Sequence, residues 1–302
     1  MVRFSSFHIW LRAAVLCTFL CAVLSALTGC ITVDVSEDKV ILPLAKLSPQ
    51  QKQYQVIRHD SVLKKLGVTQ KHFTKPAPFG KMAMSRMSRA ENANKPIVLA
   101  CMGTSADRYR GGRYYTLKSI EYGDVILFDY PGYNESSGTP TTANFSAAAD
   151  VAADYLRELR AQTGRRIIAA GHSLGGFVCS DMIDRNPDLF DGIVIETSAQ
   201  NIDHVVKART PAIFGFLLKP RVAASLRQYD VAEALQGFTG PILLLGAGQD
   251  KELKVELTHR LHGTLTAQGN DVDLHIFEEA GHENVYKHPD YPAVMREFFS
   301  QF

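Results

Sequence analysis

Residues 166–176 read Arg166-Ile167-Ile168-Ala169-Ala170-Gly171-His172-Ser173-Leu174-Gly175-Gly176. A short apolar run enters the pattern G-x-S-x-G, and a helix-like stretch carrying Phe177, Val178, Met182 and Ile183 leaves it. The glycines give room for a sharp strand-to-helix turn that lifts the Ser173 hydroxyl out of the backbone. The new helix then aims its first N–H groups at negative charge developing beside that hydroxyl. The pattern alone is weak, because Gly and Ser are common and an ordinary glycine-rich βα turn has the same composition. The strand before it and the helix after it make Ser173 a candidate nucleophile.

A nucleophilic serine needs a base, and the base needs an orienting acid. After a turn of this kind the expected chain order is Ser, then Asp or Glu, then His. Pro241-Ile242-Leu243-Leu244-Leu245-Gly246 is a buried-strand run that ends in Ala247-Gly248-Gln249-Asp250. Val272-Asp273-Leu274-His275-Ile276-Phe277 alternates like a strand and is followed by Glu278-Glu279-Ala280-Gly281-His282. Asp250 and His282 therefore both sit just past strand ends, the edge where open α/β sheets gather their chemistry. Glu196, which ends the run Gly192-Ile193-Val194-Ile195, is a rival acid, and His288 is a weaker rival base. Asp129 also ends a strand but reads as a loop anchor. His172 should point away from the serine and serve packing or hydrogen bonding. No His, Cys or Asp cluster has metal-ligand spacing, so neither a metal nor a cofactor is expected.

With these loops in this order, the chain from about residue 75 to its C-terminus resembles an α/β-hydrolase of the serine esterase, lipase and thioesterase type. The resemblance implies a mostly parallel central sheet with helices on both faces and a small helical cap. It implies Ser173 as nucleophile, Asp250 as acid and His282 as base. It also implies an oxyanion hole at the backbone N–H of Leu174, with a second donor in the loop Cys101-Met102-Gly103-Thr104-Ser105 after the strand Pro96-Ile97-Val98-Leu99-Ala100. That donor falls at Thr104, although similar enzymes carry His-Gly where this chain has Met102-Gly103. Asp129-Tyr130-Pro131-Gly132-Tyr133-Asn134-Glu135-Ser136 matches the family's D-x-x-G-x-G-x-S loop, with Asn134 in place of the second glycine. The implied reaction is cleavage of a carboxylic ester or thioester of a small or lipid-like acyl compound through an acyl-enzyme. The same triad would serve a peptidase, an amidase or an acyltransferase. A non-catalytic envelope lipoprotein that keeps the fold for binding is the alternative from another class.

The N-terminus carries a second signal. Arg3 and Arg12 precede Ala13–Leu27, an unbroken run without charge, AAVLCTFLCAVLSAL. It is shorter than the ~20 residues of a membrane span and suits a signal peptide. It ends in Leu27-Thr28-Gly29-Cys30, which resembles a bacterial lipobox. The resemblance implies cleavage before Cys30, acylation of its thiol and new amino terminus, and attachment to a membrane. Two anchoring signals already suffice for stable attachment. The lack of Asp at position 31 implies the outer membrane of a Gram-negative envelope. A plain secretory signal or an uncleaved anchor is the alternative.

The remaining sequence divides as residues 1–29, a signal peptide; 30–60, a polar, irregular tether interrupted by Pro43 and Pro49; and 61–302, the α/β domain. A cap insertion falls at about 199–238, with Ile213-Phe214-Gly215-Phe216-Leu217-Leu218 as its apolar core, packing the cap or lining an acyl pocket. Further strands are expected over 79–87 and 124–128. Helices are expected over about 144–160, around Leu257, Leu261 and Leu265, and over about 289–302. A net charge of +2 argues against a nucleic-acid partner. Of five cysteines, only Cys101 and Cys179 remain in the folded body. An oxidising compartment would permit a disulfide, but their apolar contexts favour buried free thiols.

Overall fold

Alternation of side chains in each apolar run sorts the core into two faces of one sheet. The computed structural model describes residues 31–42, 44–104, 106–210 and 218–302. The leader 1–29, Cys30 and nearly all of the cap run Ile213–Leu218 lie outside the described residues. In chain order the elements begin β1 (Ile31–Val35), α1 (Glu37–Val40), α2 (Pro49–Lys65), β2 (Thr69–Ala77), β3 (Gly80–Ser88), β4 (Ile97–Cys101) and α3 (Gly112–Ser119). They continue β5 (Asp124–Phe128), α4 (Thr142–Thr163), β6 (Ile167–His172), α5 (Leu174–Arg185), β7 (Gly192–Glu196) and α6 (Ile202–Arg209). The rest are β8 (Leu218–Val222), α7 (Ala224–Arg227), α8 (Val231–Ala234), β9 (Ile242–Ala247), α9 (Val255–Ala267), β10 (Val272–Phe277) and α10 (Tyr291–Phe299).

Eight strands form one sheet in the order β10-β9-β7-β6-β4-β5-β3-β2. The six from β10 to β5 are parallel, while β3 and β2 join antiparallel at one edge. Ile97, Leu99, Ile167, Ala169, Ile242 and Leu244 face a core shared with Phe145 and Leu156 of α4, Met182 of α5 and Leu261 of α9. The residues between them, Val98, Ile168, Leu243 and Leu245, pack on Met295 and Phe298 of α10. Ala100, Val125 and Leu127 complete that second face against α3 and Leu63 of α2. Helices on both faces of a largely parallel sheet make this the α/β-hydrolase architecture.

Three features depart from the sequence reading. The tether 30–60 is not irregular throughout, because it contains β1, α1 and most of α2. The start of α2 is set locally: Ser48 and Gln51 exchange side-chain-to-backbone hydrogen bonds at 2.9 and 3.2 Å, and Pro49 occupies the first turn. Second, the cap interval holds a strand as well as short helices. β8 pairs in parallel with β1 from Ile31↔Leu218 to Val35↔Val222.

Third, Cys101 and Cys179 are joined in a disulfide rather than standing as free thiols. Cys101 closes β4 and Cys179 lies in the second turn of α5, with Cα atoms 6.1 Å apart. Apolar surroundings bury a bridge as readily as a thiol, and local context carries no information about a partner 78 residues away. Replacing both cysteines by serine should cost about 2–4 kcal/mol and lower Tm by roughly 5–10 °C. Non-reducing peptide mapping checks the bond directly; alkylation of both thiols in the unreduced protein would refute it.

Candidate active site

The loops at the C-terminal ends of β4, β6, β9 and β10 converge on one cavity of about 480 Å3. Ser173 links β6 to α5 with φ 54° and ψ −119°, a conformation that side chains other than glycine rarely adopt. Close packing imposes this turn. A Cβ on Gly171 would stand 2.4 Å from the carbonyl oxygen of Gly175, and one on Gly175 would stand 1.9 Å from that of Cys101. Leu174 follows as the first residue of α5, where a helix leaves its N–H without an intrahelical partner. Ser173, Leu174, Thr104 and His282 all line the cavity.

Asp250 and His282 meet as the sequence order implies. Nδ1 of His282 donates to Oδ2 of Asp250 at 2.7 Å. The other carboxylate oxygen accepts the backbone N–H groups of Glu252 and Leu253, each at 2.8 Å. Three donors therefore hold the carboxylate, and it can only accept from the imidazole, so the second nitrogen, Nε2, is the one left for chemistry. Asp250 and His282 are 7% and 8% exposed.

The rival residues are engaged elsewhere. Glu196 forms a buried ion pair with Lys118 and accepts from the Tyr114 hydroxyl at 3.2 Å. Burial pulls the pKa of Lys118 down, and the charge of Glu196 opposes the shift. Asp129 accepts the backbone N–H and Nε of Arg108 at 2.7 and 3.1 Å, which makes it a loop anchor; burial nevertheless pushes its pKa up to about 6. Asn134 adopts φ 40°, the positive value that the missing glycine would have supplied. His288 packs on Phe277 and lies 3.3 Å from Glu279.

Both ring nitrogens of His172 are engaged by other groups, and they tie the loops together. Its Nε2 donates to the carbonyl oxygen of His282 at 2.9 Å. Its Nδ1 then accepts from the Tyr115 hydroxyl at 3.2 Å, and that hydroxyl accepts from the N–H of Gly103 at 2.7 Å. This direction of donation requires a neutral imidazole. Burial, reinforced by Lys118, lowers the His172 pKa to about 4 and keeps it neutral. Neither Tyr115 nor Glu252, whose Oε2 lies 3.8 Å from Nε2 of His282, was singled out by the sequence reading. Glu252 follows Asp250 by two residues, and that spacing is the one available signal. Among the described residues, no group of three or more His, Cys, Asp or Glu side chains is arranged to hold a metal ion.

Residues 143–301, just over half of the chain, match the prolyl oligopeptidase family, Peptidase_S9. The chain belongs to that family. It is similar to the lysophosphatidylserine lipase ABHD12 of Rattus norvegicus, 25% identical over 233 residues, a match covering 69% of this chain and 57% of the rat protein. The chain thus spans little more than half the length of that relative. In three dimensions it resembles esterase Pf2001 of Pyrococcus furiosus, with a TM-score of 0.59, 18% identity, and coverage of 79% of this chain and 95% of that one. It also resembles the acylaminoacyl peptidase of Pyrococcus horikoshii, with a TM-score of 0.63, 15% identity, and coverage of 80% and 43%. Family and fold together place the chain in the α/β-hydrolase architecture.

Burial alone would lower the His282 pKa. The hydrogen bond to Asp250 and the charges of Asp250, Glu252 and Glu283 outweigh it and hold the pKa above its ordinary value. Ring-proton NMR should therefore find a His282 midpoint above about 6.5. Glu252→Gln removes a negative charge and should move that midpoint down, by less than loss of the Asp250 contact would because Glu252 is largely exposed. A midpoint at or below 6.5 in the parent protein would contradict this balance.

Proposed function

We propose that the protein is a membrane-anchored serine hydrolase that cleaves a carboxylic ester or thioester of a lipid-like acyl compound. The reading rests on one observation above the others: His282, bonded to Asp250 at 2.7 Å, lines the same cavity as Ser173 on its strained turn. In this mechanism Nε2 of His282 takes the hydroxyl proton as Oγ of Ser173 attacks the carbonyl carbon. The N–H groups of Leu174 and Thr104 stabilise the oxyanion. His282 returns the proton to the departing alcohol or thiol and leaves an acyl-enzyme. Water, deprotonated by His282, then releases the acid and restores Ser173. Asp250 holds the imidazole tautomer and stabilises its charged form.

A lipid-like substrate is supported by the cavity, where Phe177, Ile202, Val205, Val206 and Leu253 form an apolar wall. The name of the rat relative, a lysophosphatidylserine lipase, agrees with it. The peptidase named among the structural relatives, together with the family name, supports amide cleavage as a second reading. Attachment through Cys30 follows from the lipobox. A disulfide in the folded body suits an exported protein. The reading locates the enzyme in the cell envelope, at the outer membrane of a Gram-negative bacterium.

Ser173→Ala should abolish fluorophosphonate labelling and ester turnover without changing the thermal transition. His282→Ala should lower kcat by several orders of magnitude, and Asp250→Asn should also be severe. Turnover by the Ser173→Ala protein at the parent rate would sink the assignment. A larger loss from Glu196→Gln than from Asp250→Asn would move the acid to β7. Matched acyl esters and acyl-aminoacyl anilides separate the ester reading from the amide reading.

Anchoring is tested separately. Cys30→Ala should eliminate incorporation of labelled palmitate and block lipoprotein-type processing. Continued palmitate labelling of that variant would refute the lipobox.

A further inference from the structure

The cavity has a second apolar wall, and it comes from the segment that the sequence reading treated as a tether. Val35, Val40 and Leu42 line it, on the same cavity as Ser173 and His282. Lys39, at the end of α1, lines the cavity beside them. Ile41 is buried in the main core, while its neighbours Val40 and Leu42 border the cavity. Leu42 remains 50% exposed, apolar surface that a bound chain could cover.

The strap is fastened on several sides. β1 is laddered in parallel to β8 of the cap over five residue pairs. Asp34 accepts Nε and Nη2 of Arg221 at 2.6 and 3.0 Å. The Glu37 carboxylate accepts the backbone N–H and the hydroxyl of Thr142, at the start of α4, at 3.0 and 2.8 Å. The Tyr133 hydroxyl donates to the carbonyl oxygen of Leu42 at 2.6 Å, and Arg110 donates to that of Ala45. A segment held at both its ends and bordering the reaction cavity between them is built to keep a surface in place.

We infer that residues 35–42 are a specificity element that forms one side of the acyl-chain site, with Val40 and Leu42 setting the chain length accepted. This rests on the ester-hydrolase reading and narrows it to substrates whose acyl chain lies between the strap and the wall of Phe177, Ile202 and Val206. Glu37 is a positioning residue, because it holds the strap from outside the cavity.

The test uses the full-length protein in detergent and p-nitrophenyl esters from acetyl to octanoyl. Leu42→Ser should lower the octanoyl-to-acetyl ratio of kcat/KM about four-fold, the equivalent of one buried methylene. Leu42 is half exposed, so this variant should fold, as its thermal transition will report. Val40→Phe fills space and should shift the preference toward shorter chains. Glu37→Ala should raise KM for the octanoyl ester more than it lowers kcat, with Glu37→Gln restoring part of the difference through its remaining acceptor. An active parent whose variants keep the parent ratio, or lose activity on every chain length by the same factor, overturns the inference alone. A parent that neither turns over any ester nor labels at Ser173 overturns the hydrolase reading and the strap's role with it.

Discussion

The first turn of α5 lies against the end of β4 with no side chain between them, and the site is organised around that contact. At Gly175 the approach is so close that even a methyl group would collide with the Cys101 carbonyl. The contact brings the start of α5 to the loop that leaves β4, so Ser173, Leu174 and Thr104 border one space. Cys101 bonds covalently to Cys179, one turn further along α5. Backbone packing and the disulfide thus hold the same pair of elements. The positive φ at Ser173 persists because its neighbours leave the chain no relaxed alternative.

Two histidines near this turn have their pKa values pushed in opposite directions. His172 is buried in the wall of the cavity, close to the positive charge of Lys118, and stays neutral. Its hydrogen bonds run one way, from Gly103 through Tyr115 to the carbonyl of His282, and join the β4 loop to the β10 loop. His282 faces three carboxylates, Asp250, Glu252 and Glu283, that favour its charged form. Under the hydrolase reading, a base that must accept a proton gains from that environment, whereas a linker that must keep its tautomer would lose by it. Glu196 pairs with Lys118 inside the fold, whereas Asp250 is the carboxylate bonded to His282.

The inner parallel strands were legible because each is buried on both faces and reads as a largely apolar run, while β10 at the sheet edge is half-buried and shows as an alternating one. β5 spans the expected 124–128, and α4 extends the expected 144–160 by a few residues at each end. The candidate positions Ser173, Asp250 and His282 were legible because each lies in the loop or turn that follows one of these strands. Contacts between distant segments were not. β2 is a half-buried edge strand whose pattern alternates imperfectly, so its run carries little signal. The disulfide and the β1–β8 ladder each depend on a partner far along the chain. Ser48 and Gln51 do signal a helix start, but the helix they open has only a weak apolar stripe.

The strap and the cap depend on each other in a way that neither sequence segment discloses. β1 and β8 form a sheet of only two strands, and such a pair is marginal by itself in water. It persists because Ile41 is buried in the main core just beyond β1, while Val222, at the end of β8, is buried in the same core. The cavity wall therefore draws its rigidity from the central domain. Under the lipid-anchor reading, Cys30 immediately precedes β1, so the residue that holds the protein to a membrane adjoins the strand leading into the substrate cavity. Attachment and substrate access would then share one short length of chain, as suits an enzyme whose acyl substrate arrives from a lipid surface.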